Sequence, residues 1–312
     1  MSRFLSLFPL LLLGCPTEVS EPVQARQAKV KAPEGLFQPD GNEPELNPEA
    51  SLVCAKGDRS AFSEVYPPNI IDVAESYYFE DVGGQIVRLE TVMFDKYSLA
   101  VFVKMIRDHG ELVATDKVLD VGSGTGALGL AALAHGAGSV VATELDPLAA
   151  RNTRMNAEAL GLGKRVQTRL VSFDDQGAYS VIAQDERFDL ILADPPQGYD
   201  LFVRRSFPEV GEGLKNAKEV YFSQDPGACF LNSLLEDLDK HLTDKGRLIL
   251  AMKSDRAKKL LPGLAERYGL DFKVLYDSRK DAIHSNARQI GSRNKVPDMS
   301  KSMVMFELRV HR

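Results

Sequence analysis

From residue 117 onward, short apolar runs alternate with stretches whose apolar positions recur at helical spacing. The runs are Lys117–Val121, Ser139–Thr143, Val166–Phe173, Phe188–Ala193, Arg247–Met252, Phe272–Tyr276 and Met303–Val310. Strand-length segments separated by helical ones build βαβ units, whose strands lie parallel in one sheet. The expected fold is therefore α/β, a Rossmann-like, doubly wound, mostly parallel seven-stranded sheet. Ahead of it, Gln85–Val92 alternates as a strand does. Leu99, Val101, Phe102, Met105 and Ile106 then form a helical stripe within Tyr97–Asp108. The chain carries neither an internal repeat nor a heptad pattern.

The N-terminus follows another pattern. Met1-Ser2-Arg3 is a basic start, and Phe4–Leu13 is apolar apart from Ser6 and Pro9. That run is too short to span a bilayer, which takes about 20 residues, but it suits the apolar core of a secretory signal. Residues 16–50 hold Pro16, Pro22, Pro33, Pro39, Pro44 and Pro48 and a single aromatic, Phe37. Such a stretch cannot bury enough surface to offset its ordering entropy, so a disordered tether is expected, with an r.m.s. reach of about 30 Å. The predicted organisation is a signal at 1–15, the tether at 16–50, a lead-in at 51–112 and the main domain at 113–312. Leu12-Leu13-Gly14-Cys15 resembles a bacterial lipoprotein signal, in which the cysteine becomes the lipidated N-terminus. That resemblance implies a lipid on Cys15 and a membrane-anchored protein; the alternative is a cytoplasmic protein.

Composition narrows the chemistry. The 312 residues carry 38 Lys+Arg against 44 Asp+Glu, a net charge of -6. A broad basic face for nucleic acid is not expected, though a local basic patch can hide in the average, and no DNA partner is expected. Three cysteines, Cys15, Cys54 and Cys229, make neither a disulfide scaffold nor a zinc ribbon. Whether Cys54 and Cys229 pair is left open by the sequence. The five histidines have no ligand spacing, so no metal site is predicted.

The strongest local signal is Val118-Leu119-Asp120-Val121-Gly122-Ser123-Gly124-Thr125-Gly126-Ala127. A strand ends, a glycine-rich turn follows, and a helix of small residues begins at Ala127. Gly122, Gly124 and Gly126 let backbone approach a ligand without Cβ obstruction. The spacing alone also fits a dinucleotide fingerprint. Asp120 argues against that reading, because a carboxylate there repels a pyrophosphate and attracts an ammonium. Glu144 ends the next strand, where its carboxylate can accept from ribose hydroxyls. S-adenosylmethionine combines an ammonium and a ribose with no phosphate. Val118–Gly126, followed by Val140-Val141-Ala142-Thr143-Glu144-Leu145-Asp146-Pro147, resembles the cofactor site of class I S-adenosylmethionine-dependent methyltransferases. Asp146 and Pro147 start a helix with Gly161 past its end; Asn152 and Asn156 within it resemble the small-domain group. The resemblance covers roughly 85–312. It implies that Asp120, Gly122, Gly124, Gly126 and Glu144 bind the cofactor and that Asp174, or its neighbour Asp175, meets its adenine.

A second motif, Asp194-Pro195-Pro196-Gln197-Gly198-Tyr199, follows the buried strand Phe188–Ala193. Two prolines stiffen the backbone and remove two donors, leaving carbonyls and a carboxylate that can hold a planar amino group. This resembles the Asn/Asp-Pro-Pro-aromatic motif of release-factor glutamine and RNA guanine methyltransferases. It implies Asp194 as the catalytic residue and Pro195, Pro196 and Tyr199 as acceptor-binding residues. Gln197 stands where the family has its stacking aromatic, and Tyr199 is the substitute two residues on. The implied function is methyl transfer from S-adenosylmethionine to a nitrogen of a protein or RNA. The rival is a membrane-tethered, non-catalytic binding protein that keeps the fold. The polar segment 277–302, with Arg279, Lys280, Arg288, Arg293, Lys295 and Lys301, reads as a solvated loop or as a steering patch for an acidic substrate.

Overall fold

A computed structural model describes residues 73–89, 92–94, 96–109, 112–172, 177–195, 228–278, 280, 288–292 and 303–311. The main sheet contains β3 (Lys117–Val121), β4 (Ser139–Glu144), β5 (Val166–Leu170), β6 (Phe188–Ala193), β7 (Leu242–Lys253), β8 (Leu270–Asp277) and β10 (Met303–Val310). Their order is β5-β4-β3-β6-β7-β10-β8. β5, β4, β3, β6 and β7 pair in parallel, and β10 runs antiparallel to both β7 and β8. This is the seven-stranded, mostly parallel sheet that the sequence predicts.

Alternate residues of the central strands feed two cores, as the two-residue period of a strand requires. Val118, Val140, Leu190, Leu192 and Ile249 face one layer with helices α1 (Lys96–His109) and α2 (Ala127–Ala134). Leu119, Val121, Ile191, Ala193 and Leu248 face the other, with α4 (Ala228–Glu236) and α6 (Ser254–Arg267). The helix α3 (Pro147–Ala159) begins as its sequence predicts: Pro147 opens it, and the Asp146 carboxylate accepts from the Leu148 amide at 2.8 Å. A short helix, α5 (Leu238–His241), leads directly into β7. Among the described residues no helix is long and apolar enough to cross a membrane.

The lead-in contains more than the predicted strand and helix. A hairpin of β1 (Val73–Phe79) and β2 (Gly84–Leu89) forms a second sheet with β9 (Arg288–Ser292), in the order β2-β1-β9. β1 escapes the sequence pattern because Glu75 sits buried in it and its register shifts between Val73 and Glu75. β9 lies inside the segment read as a solvated loop. Its backbone pairs antiparallel with β1, from Glu75↔Ser292 to Tyr78↔Arg288, and an edge pairing of this kind needs no apolar alternation. Two asparagines of α3 fasten the hairpin to the main domain. Asn156 accepts from the Val87 amide at 2.9 Å and donates to its carbonyl at 2.9 Å. Asn152 accepts from the Leu89 amide at 2.9 Å and donates to the Val87 carbonyl at 2.8 Å. These side chains complete the outer edge of β2 as another strand would.

Candidate active site

Three neighbouring strand ends build the site. Val121 of β3 is the register partner of Thr143 on one side and of Ala193 on the other. The residues that follow, Gly122, Glu144 and Asp194, therefore leave the sheet side by side along its carboxyl edge, about 4.8 Å apart from strand to strand. β4 lies on one side of β3 and β6 on the other, so the chain reverses its winding between β3 and β6. Ligands of open α/β sheets bind in the crevice that such a reversal opens.

The glycine turn is tied to β4. The Gly122 and Ser123 amides both donate to the Thr143 carbonyl, at 2.9 and 3.0 Å, and the Gly126 amide donates to the Ser123 carbonyl at 2.7 Å. Thr153 of α3 braces it from below, 2.9 Å from the Ser123 hydroxyl and 3.1 Å from the Gly124 carbonyl. Gly122 and Gly126 both have left-handed backbone, with φ of 73° and 79°, but for different purposes. A Cβ on Gly126 would lie 2.8 Å from Thr153 Cγ2, so that glycine permits helix packing. A Cβ on Gly122 would meet nothing within 4 Å among the described residues. Gly122 is thus where the turn offers bare backbone to open space, as a cofactor requires.

Asp120 lies under this turn, 1% exposed. Its Oδ2 accepts from the Gly129 amide of α2 at 2.9 Å, while its Oδ1 is buried with no partner among the described residues. Burial pushes this carboxyl up to about 7; the charges of Glu144 and Asp194 add to the rise, and the Gly129 bond opposes it. An orphaned carboxylate oxygen in this position fits the ammonium of S-adenosylmethionine, reached directly or through water. Glu144 has its Oε2 on the Gly124 amide at 2.8 Å and its Oε1 on the Leu145 and Asp146 amides at 2.8 and 3.0 Å. Burial, with Asp146 beside it, raises its pKa above the usual carboxylate range, against the pull of these three amides. A carboxylate offers about four acceptor directions. About one is left for a ligand hydroxyl, rather than the two that a ribose pair would use.

Asp194 is half-buried immediately beyond Ala193, and Pro195 behind it is buried. Its charge is close enough to raise the Asp120 carboxyl. Pro196, Tyr199, Asp174 and Cys15 lie outside the described residues, so the structure brings Asp120, the glycine turn, Glu144, Asp194 and Pro195 together. Among the described residues no cluster of His, Cys, Asp or Glu could hold a metal ion. Sequence reasoning missed Thr153, which carries no motif of its own. It also missed Gly129, where a Cβ would lie 2.8 Å from Val140 Cγ1 and 3.1 Å from Asp120 Oδ2. Gly129 carried no motif signal either, because the packing position of a Rossmann-type fingerprint counted from Gly122 falls on Ala127, two residues earlier.

The strand order, the glycine turn leaving the central strand and the acid ending its neighbour are those of the methyltransferase fold, and parts of the chain are similar to known methyltransferases. The family described as conserved hypothetical protein 95 matches residues 93–240. The release factor glutamine methyltransferase of Cereibacter sphaeroides is 32% identical over 157 residues, 49% of this chain and 52% of that protein. The tRNA1(Val) (adenine(37)-N6)-methyltransferase of Haemophilus influenzae is 33% identical over 150 residues, 47% of this chain and 58% of that protein. Among solved structures, the ribosomal protein L11 methylase of Lactobacillus delbrueckii subsp. bulgaricus aligns with a TM-score of 0.43 at 17% identity, covering 71% of this chain and 82% of that one. The chain spans about half the length of the curated relatives it matches.

Proposed function

We propose that this protein is an S-adenosylmethionine-dependent methyltransferase acting on a nitrogen of a protein or RNA substrate. The observation that carries the reading is the alignment of three strand ends at one crevice, with Gly122 exposed between the buried Asp120 and the half-buried Glu144, and with Asp194 at the adjacent strand end. Gly122, Asp120 and Glu144 would hold the cofactor, which supplies an electrophilic methyl group when bound. Asp194 orients the acceptor nitrogen through its N–H groups and accepts the proton that the nitrogen sheds. The buried Pro195 fixes the Asp194 backbone, so orientation costs little entropy at the moment of reaction. Pro196 and Tyr199 belong to the acceptor side in this reading. The names of the two curated relatives, one a modifier of a protein glutamine and the other of a tRNA adenine, support a planar amino nitrogen as the target. The net charge of -6 favours a protein acceptor over RNA.

Calorimetry with S-adenosylmethionine tests the cofactor assignment. Glu144→Ala removes the acceptor for a ligand hydroxyl and for the Gly124 amide, and should weaken binding by about 1.5–3 kcal/mol, the scale of hydrogen bonds to a charged group. Undiminished affinity in that variant would refute the assignment. The Leu12-Leu13-Gly14-Cys15 pattern supports a lipid on Cys15 and a membrane-anchored chain. On that reading Cys15→Ser releases the protein from the membrane fraction, and an unmodified Met1 terminus in the native host contradicts it. The same pattern favours the rival, a tethered protein that binds without turnover, because S-adenosylmethionine is made in the cytosol. Cofactor binding with no methyl transfer to any cell fraction would select that rival.

A further inference from the structure

A buried ion pair in the small sheet lies next to the cofactor turn and has no part in the chemistry above. Glu75 of β1 and Arg88 of β2 are cross-strand register partners. Arg88 Nε donates to Glu75 Oε2 at 2.7 Å, and the two side chains are 3% and 1% exposed. Removing two charges from water is costly, and well-packed apolar residues can usually replace such a pair without loss of stability. Stability alone therefore does not account for it. What an apolar pair cannot supply is a directed donor. Arg88 Nη1 also donates to the Val92 carbonyl at 3.2 Å and reaches the Leu89 carbonyl at 3.5 Å.

The described residues Val92–Phe94 belong to the strap between the hairpin and α1, and they are held at two points. Arg88 holds the Val92 carbonyl, and the Phe94 ring packs against Tyr77 and Phe79 with centroids 5.6 and 5.8 Å away. Between these anchors, the Met93 carbonyl abuts the glycine turn, 3.1 Å from where a Cβ on Gly124 would stand. The Gly124 amide is the donor that holds Glu144 Oε2 at 2.8 Å. A continuous chain of contacts thus runs from the Glu75–Arg88 pair, through the strap, to the acid that would meet the cofactor.

We propose that Arg88, oriented by Glu75, is a positioning residue that holds the Val92–Phe94 strap as a wall of the cofactor turn. This rests on the methyltransferase reading and deepens it. Losing the bond to the Val92 carbonyl lets Met93 move off Gly124, and the turn and the Glu144 carboxylate lose a fixed boundary. The effect falls on cofactor affinity, because the strap abuts Gly124, whose amide holds the Glu144 carboxylate.

The test uses the full chain with two variants. Glu75→Met with Arg88→Met removes both charges together, so no buried charge is left uncompensated, and Arg88→Lys keeps the pair while narrowing its reach. Three quantities are read: the thermal midpoint, amide hydrogen exchange without cofactor, and the S-adenosylmethionine Kd by calorimetry. The double variant should keep its thermal midpoint within a few degrees, speed exchange at Met93, Phe94 and Gly124 with β3, β4 and β6 unchanged, and raise Kd roughly tenfold, the scale of one lost charge-assisted hydrogen bond. Arg88→Lys should fall between it and the wild type. Unchanged exchange in the strap overturns the proposal. So does a loosened strap with unchanged Kd, or a loss of protection spread over the whole sheet. A wild-type protein that binds no S-adenosylmethionine defeats the methyltransferase reading instead, a result distinct from undiminished binding by the variant.

Discussion

Asp120 makes the cofactor affinity a function of pH. Its carboxyl is pushed up from 3.8 to about 7, first by burial. The rise favours the protonated form in the folded chain by several kcal/mol, on the order of 1.4 kcal/mol for each tenfold change in its proton affinity. A group whose folded pKa lies above its unfolded value lends stability that is fully present below about 3.8 and is lost as pH rises through about 7. The free protein should therefore lose stability between those values, while a ligand ammonium is bound best by the ionised form. Asp120→Asn fixes the neutral state. At pH 8 it should weaken S-adenosylmethionine binding by about 1.5–3 kcal/mol, roughly 10- to 150-fold, the range for a hydrogen bond to a charged group. It should also raise the thermal midpoint of the free protein at that pH. At pH 5 variant and wild type should bind alike, because about 99% of a group with a pKa near 7 is then protonated. The charges of Glu144 and Asp194 act on the same carboxyl, so calorimetry across pH 5–8 on both proteins is the assay. A wild-type affinity independent of pH, or the same slope in Asp120→Asn, would refute the reasoning.

Two glycines that look equivalent in sequence should respond differently. Gly126→Ala drives a methyl group into Thr153 and should destabilise the fold by about 2 kcal/mol or more, from left-handed strain together with overpacking. Gly122→Ala has the space and should cost stability only the strain of its φ, about 1–2 kcal/mol, while its methyl group fills the ligand side and reduces cofactor affinity by more; denaturant melts alongside calorimetry separate the two. Asn156→Ala strips partners from the Val87 amide, the Val87 carbonyl and the Thr125 carbonyl. It should lower stability by about 3 kcal/mol, with hydrogen exchange rising first in β2.

The fold was legible where one physical rule dominates. β3, β4 and β6 are buried on both faces, so their residues are mostly apolar, and α3 carries a cap, a proline at its first turn and Gly161 beyond its end with φ of 70°. The small sheet was not legible, because its stabilising contacts are not apolar periodicity. β1 buries Glu75, β9 pairs with β1 along its backbone, and β2 finds its outer partners in two asparagine side chains of a distant helix. At the site, the residue types showed in the spacing: glycines after one strand and an acid after the next. Their actual duties did not. Gly126 serves packing where Gly122 serves the crevice, and Glu144 spends most of its acceptor capacity on three backbone amides. Such divisions depend on which atoms lie nearby in space, and Thr153, Met93 and Gly129 are brought in from other elements.

The central claim is that the Asp194 strand end is where a nitrogen is methylated. Its most direct test is radiolabelled methyl transfer from S-adenosylmethionine into fractionated lysate, with protein and RNA separated, by wild type and Asp194→Ala side by side. The account predicts label in one macromolecular fraction with the wild type and a kcat lower by roughly 10²-fold or more in the variant, the scale for a lost positioning or proton-accepting group. Cofactor affinity should stay within a few-fold, because Gly122 and Glu144 are untouched. Equal turnover by Asp194→Ala would contradict the account.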